Sequence, residues 1–156
     1  MSIYRKLKKN GMDISVKNIT RNLNDVAGIR VICNFIDDIY DVVKLLARQD
    51  DIKVISTKDY IRNPKDNGYR SYHMVVEIPI FFARCKQVMR VEVQIRTIAM
   101  NFWASLEHQL RYKKNIEGME GIEEISQSLL EAADTIAETD RKMQEIKKKI
   151  EKFADL

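Results

Sequence analysis

The chain has 156 residues, 45% hydrophobic and 32% charged, with 27 lysines and arginines against 23 aspartates and glutamates for a net charge of +4. That is enough chain for one globular domain with a real core, and the basic excess favours an anionic partner. No apolar run approaches the roughly 18 to 20 residues of a membrane span, residues 1–11 lack the apolar centre of a secretory signal, and Cys33 and Cys85 have neither disulfide-framework nor zinc-site spacing, so a cytoplasmic protein with reduced thiols is expected.

Residues 2–10 read as the tail of a helix closed by Gly11, a residue suited to the left-handed cap position, and residues 18–24 have short helical character. Residues 28–35 set Ile29, Val31, Cys33 and Phe35 against Arg30, Ile32 and Asn34, which predicts a mostly buried first strand. Ile39, Val42, Val43 and Leu46 recur at helical spacing over 37–48, and residues 52–59 read as strand two. Asn63-Pro64-Lys65-Asp66-Asn67-Gly68 is a concentrated turn signal, followed by a third strand over 69–78 that Pro79 should end; residues 80–86 then make an irregular or edge connection.

The fourth strand, 88–96, alternates Val91, Val93 and Ile95 with Arg90, Glu92, Gln94 and Arg96, sending the β-branched residues into a core and the polar ones to the opposite face. That face is either an ordinary solvated sheet surface or a chemically loaded one, since a carboxylate flanked by guanidiniums suits phosphate chemistry. Thr97 can cap a helix over 98–114, where Phe102, Leu106 and Leu110 or Trp103, Leu110 and Lys114 offer alternative apolar faces and His108 falls on a polar side. Residues 115–121 break that helix. Beyond them Ile122, Leu129, Ile136, Met143 and Ile150 fill one heptad position and Ile125, Ala132, Thr139, Ile146 and Phe153 the other. This helix either pairs with a partner or lies along its own domain.

Helix, strand, helix, three strands and two helices describe an α+β domain with a mixed β-sheet, flanking helices and a C-terminal helical segment, divided at 1–114 and 115–156. Neither Gly-x-Gly-x-x-Gly nor Gly-x-x-x-x-Gly-Lys occurs, so a bound nucleotide must be held by side chains. Three constellations could do so. Asp25, just before Gly28 and Arg30, could ligate magnesium or merely cap a turn. Lys58 and Lys65, Asn67, Tyr69, Arg70 and His73 crowd one turn, where Tyr69 could stack on a base or pack into the core. Glu92 shares a strand face with Gln94 and Arg96, and could accept or orient a proton in phosphoryl transfer. Basic residues concentrate in 5–30, 53–70 and 84–96 while 122–140 is acidic, which leaves RNA as a possible but unfavoured partner.

In this order the segments Ser2 to Leu7, Asp25 to Arg30, Lys58-Asp59-Tyr60-Ile61, Asn67 to His73, Val91 to Thr97 and Trp103 to His108 resemble the synthetase domain of the RelA/SpoT family, most closely the stand-alone small alarmone synthetases. The resemblance implies a nucleotidyltransferase-like sheet that transfers pyrophosphate from ATP to the 3′-hydroxyl of GDP or GTP, with magnesium (Mg2+) as the cofactor. By position, Asp25 and Glu92 would hold the metal, Glu92 would also orient or deprotonate the hydroxyl, and Tyr69 would stack on guanine. Lys58, Lys65, Asn67, His73 and Gln94 would surround the acceptor, Arg30 would contact ATP, and Ser2 and Lys6 would approach its phosphates. The same resemblance implies a homo-oligomer, with a tetramer favoured, and synthesis without alarmone hydrolysis, because His73 and His108 are the chain's two histidines.

The family places an Arg-x-Lys element before the Ser-Ile-Tyr segment, whereas this sequence opens at Met1-Ser2, so half of the donor clamp is expected to be missing. Tyr72 stands where a smaller aliphatic residue is common, a change a strand tolerates. The competing expectation is a catalytically impaired module of the same family that binds nucleotide or RNA and regulates.

Overall fold

The structure, a computed structural model, describes residues 27–82, 85–114 and 121–154, together with Lys8, Gly11 and Asp13. The elements in chain order are β1 (Ala27–Cys33), α1 (Ile36–Ala47), β2 (Lys53–Asp59), β3 (Tyr72–Phe82), β4 (Cys85–Thr97), α2 (Ile98–Lys114) and α3 (Ile122–Ala154). The strands form one four-stranded sheet in the order β1-β4-β3-β2, giving the α+β class with a mixed sheet. Two compact units divide the described chain, one drawn from 27–31, 43–58 and 73–94, the other from 32–42, 59–72 and 95–154.

In the first unit the alternation on β4 buries Val91 and Val93, and β3 buries Met74 and Val76 by the same period of two. β1 departs from its expected burial: Ile29 and Ile32 are 54% and 44% exposed. The reason is position, because β1 is an edge strand of the sheet and, among the described residues, has a strand beside it on one side. β3 also departs from expectation by running through Pro79 to Phe82, and β4 begins at Cys85, so strand replaces most of the irregular connection. Tyr60 N donates to Ser71 O at 3.0 Å, which sets β2 beside β3 from their turn end.

In the second unit α1 opens with Asp37 and Asp38, carboxylates suited to a helix N-terminus, and Phe35 N donates to Asp38 Oδ2 at 3.1 Å. Asp37 is tied to α3 through Gln144, which accepts from Asp37 N and donates to its carboxylate, both at 3.0 Å; Lys147 and Lys148 pair with Asp38 and Asp37. Thr97 does cap α2, its Oγ1 accepting from Met100 N at 3.1 Å. The same hydroxyl donates to Asp140 Oδ2 at 2.6 Å, and both residues are buried.

Of the two candidate faces of α2, Trp103 is inside, joined by Met100 and Ala104, while Phe102, Leu106 and Leu110, the last shared by both faces, are exposed. Trp103, Ala104 and Ala133 make the core, with Tyr69 and Ile136 packed against it, and Trp103 Nε1 donates to Leu129 O at 3.0 Å. α3 buries Ala133, Asp140 and Gln144, one stripe of spacing seven and four. Leu129 and Ile136 of the heptad flank that stripe half-buried, whereas Met143, Ile146, Ile150 and Phe153 are exposed. Gly11 has φ of +65° and donates to Lys8 O, the left-handed closure expected of it; of the helical readings over 2–10 and 18–24, all but Lys8 lies outside the described residues.

Burial pushes the Asp140 carboxyl up from its ordinary value near 3.8, against the smaller opposing effect of the Thr97 hydroxyl. The folded state therefore holds this proton more tightly than the unfolded chain, so Asp140 favours folding in acid and that contribution is lost as pH rises through the folded value. Asp140→Asn removes the dependence. Urea denaturation of parent and variant should show the stability difference moving in the variant's favour from about pH 3 to about pH 7; a difference constant with pH contradicts it.

Candidate active site

Ser2, Lys6 and Asp25 lie outside the described residues. Arg30 is exposed on edge strand β1, and Lys58 is exposed on edge strand β2. Gly28 is not required for space beside Glu92: a Cβ there would sit 3.9 Å from Glu92 O, an ordinary contact.

The remaining residues form two clusters. In the first unit, the neighbouring strands β3 and β4 bring His73 Nδ1 within 3.1 Å of Glu92 Oε1, while Gln94 Nε2 donates to Glu92 Oε2 at 3.4 Å. Each oxygen of Glu92 thus has a positioning partner, yet the side chain keeps 27% of its surface open. Further along the same two strands Arg90 Nε pairs with Glu77 Oε1 at 3.0 Å. Among the described residues no group of three or more His, Cys, Asp or Glu could hold a metal ion. Glu92 by itself offers the hard oxygen donor that magnesium selects, one carboxylate of the one or two such a site uses beside phosphate oxygens and water.

The second cluster is the turn between β2 and β3. Asp59 opens it, its Oδ1 accepting from the backbones of Ile61 and Arg62 at 2.9 and 3.0 Å, an Asx-type closure. Tyr40 donates to Asp59 Oδ2 at 3.1 Å; burial first and then the Asp59 carboxylate hold this phenol above its usual value, so it stays a donor. Asn67 turns the chain locally, its Oδ1 accepting from Tyr69 N at 3.2 Å while Nδ2 reaches Glu107 on α2 at 3.3 Å.

Gly68 follows with φ of +83°, and a Cβ there would lie 2.5 Å from Ala133 Cβ. Arg70 then clamps the turn to α3, donating to Ala133 O at 3.1 Å and to Asp134 at 3.0 Å. Tyr69 between them is half-buried. Its ring meets Tyr60 edge-on with centroids 6.1 Å apart, and Lys65 Nζ lies 4.9 Å from the Tyr69 centroid and 4.8 Å from that of Tyr60. Arg96 donates to its phenol oxygen at 2.6 Å. The turn is therefore both packed and polar, so the two sequence readings of Tyr69, base platform and core residue, are not exclusive.

A model of the region found in RelA and SpoT proteins matches residues 1–117. The chain belongs to the RelA/SpoT family. Over 150 residues it is 43% identical to the GTP pyrophosphokinase YwaC of Bacillus subtilis, a match covering 96% of this chain and 70% of that protein. It superposes on the crystal structure of small alarmone synthetase 2 from B. subtilis with a TM-score of 0.83 at 41% identity, covering 94% of this chain and 74% of that one. For small alarmone synthetase 1 of the same organism, solved bound to its product pppGpp, the TM-score is 0.81 at 35% identity, covering 96% and 73%.

One residue of the polar strand face departs from its pattern. Arg96 is 5% exposed rather than solvated, because the period-two row of β4 runs beneath α2 and the turn at that end. Tyr60 and Glu107 lie in segments that carry the resemblance but had no role of their own there; the structure sets Tyr60 edge-on to Tyr69 and Glu107 within reach of Asn67. Gly68→Ala should lose roughly 2 to 4 kcal/mol of folding stability, since positive φ and overlap with a helix-borne Cβ act together. Equilibrium urea unfolding measures it, and a loss under about 1 kcal/mol would mean that the turn relaxes away from α3.

Proposed function

We infer that this member of the RelA/SpoT family is a GTP pyrophosphokinase, transferring the β,γ-pyrophosphate of ATP to the 3′-hydroxyl of GDP or GTP. The carrying observation is Glu92, a partly open carboxylate fixed by His73 and Gln94 at 3.1 and 3.4 Å, in a chain 43% identical to a GTP pyrophosphokinase. The acceptor oxygen bonds to the β-phosphorus of ATP, the bond from that phosphorus to the α-phosphate oxygen breaks, and AMP leaves. Glu92 orients the hydroxyl and takes its proton, while His73 and Gln94 keep the carboxylate aimed. Tyr69 stacks on guanine, with Lys58, Lys65 and Asn67 on the acceptor nucleotide; Lys65 already lies against two aromatic rings and is exposed, so it is poised to meet a phosphate.

Arg30, Ser2 and Lys6 serve the ATP side. Magnesium, held by Asp25 and Glu92, would supply charge neutralisation of the phosphates when bound. The exposed Met143, Ile146, Ile150 and Phe153 on α3 support a homo-oligomer, and the tetramer is what the resemblance to small members of the family implies. A cytoplasmic location accords with the absence, among the described residues, of any helix long and apolar enough to cross a membrane.

The test is incubation with ATP, Mg2+ and GDP followed by separation of nucleotides. AMP and ppGpp should appear in equal amounts, and Glu92→Gln should slow their formation by about 100-fold or more while GDP binding persists. Tyr69→Ala should weaken GDP binding by about tenfold and leave ATP binding within about twofold. GDP binding without any product would instead identify a nucleotide-binding regulatory module. Ile146→Glu combined with Phe153→Glu should shift sedimentation toward the monomer; an unchanged oligomer would place the interface elsewhere.

A further inference from the structure

We propose that Arg96 is a positioning residue for the acceptor base, fixing the Tyr69 ring through a hydrogen bond to its phenol oxygen. The inference rests on the reading of Tyr69 as the guanine platform. A guanidinium 5% exposed is costly to bury unless its donors are used, and three of them are: Nη2 to Tyr69 OH at 2.6 Å, Nε to Ser71 Oγ at 3.4 Å, Nη1 to Asn101 Oδ1 at 3.5 Å. The shortest goes to the tyrosine. Ser71 is itself fully buried and donates to Ile95 O at 3.3 Å, and Asn101 belongs to α2, so the fork is anchored on rigid structure.

Tyr69 stands in a turn whose backbone alone would leave the ring free to swing about χ1. Its phenol oxygen is the part furthest from that backbone, and a bond there restrains the ring with the greatest leverage. The guanidinium carbon is also 5.1 Å from the ring centroid, so a cation–π contact adds to the hydrogen bond in holding the ring. Lysine cannot replace this arrangement, because one ammonium cannot reach serine, amide and phenol from a planar fork.

The experiment is a double-mutant cycle on GDP binding, measured by calorimetry with ATP binding as reference. Tyr69→Phe keeps the ring and removes the oxygen; Arg96→Lys keeps the charge and removes the fork. Each should raise the GDP dissociation constant by about tenfold, and the double variant by no more than either, with ATP affinity within about twofold throughout. Additive losses, an unmoved GDP constant in Tyr69→Phe, or equal losses for ATP and GDP would overturn the inference. Tyr69→Phe decides the matter even where Arg96→Lys does not fold. If Tyr69→Ala leaves GDP binding unchanged, the platform reading itself fails; if Tyr69→Ala weakens GDP and Tyr69→Phe does not, only the role of Arg96 fails.

Discussion

The alternation of β4 is the constraint from which most of the structure follows. Val91, Val93 and Ile95 must be buried, and a strand has only two faces, so Glu92 and Gln94 are committed to the other one. A one-residue slip would bury the carboxylate and expose three β-branched side chains. The burial free energy that holds the sheet together thus also holds Glu92 in register with His73 on β3. Thr97 extends the effect to the end of the strand, where one buried hydroxyl stops α2 from fraying and engages Asp140 on α3.

Strand and helix positions were legible because their periods are carried by local sequence. The alternation of β4, the turn at 63–68, the Thr97 cap and the helix over 98–114 all lie within a few residues of their own signal. What failed depends on neighbours. Ile29 and Ile32 look like core residues, but exposure on β1 is decided by which strands lie beside it. Pro79 looks like a stop, yet β3 continues through it to Phe82.

The candidate site shows the same division. That Glu92, Gln94 and Arg96 share a row is a property of the strand, readable directly. That Arg96 is buried against a phenol while Glu92 stays partly open is a property of what covers each end of that row. The turn is similar: Asn67-Gly68 announces a reversal, but nothing local says that Gly68 must also admit Ala133, a residue 65 positions later in the chain. The glycine answers two demands at once, φ of +83° and close approach of a helix.

The two carboxylates of β3 and β4 are held in different ways by the same sheet. Glu77 is bonded to a guanidinium at 3.0 Å, and a carboxylate in that pairing spends its charge on its partner. Glu92 is held by an imidazole and an amide, groups that fix its direction without requiring that its charge be cancelled. The base role proposed for Glu92 calls for that combination of fixed geometry and charge still available. The pair at Glu77 and Arg90 bridges β3 and β4 further along the same two strands, so side chains tie these strands together at both places.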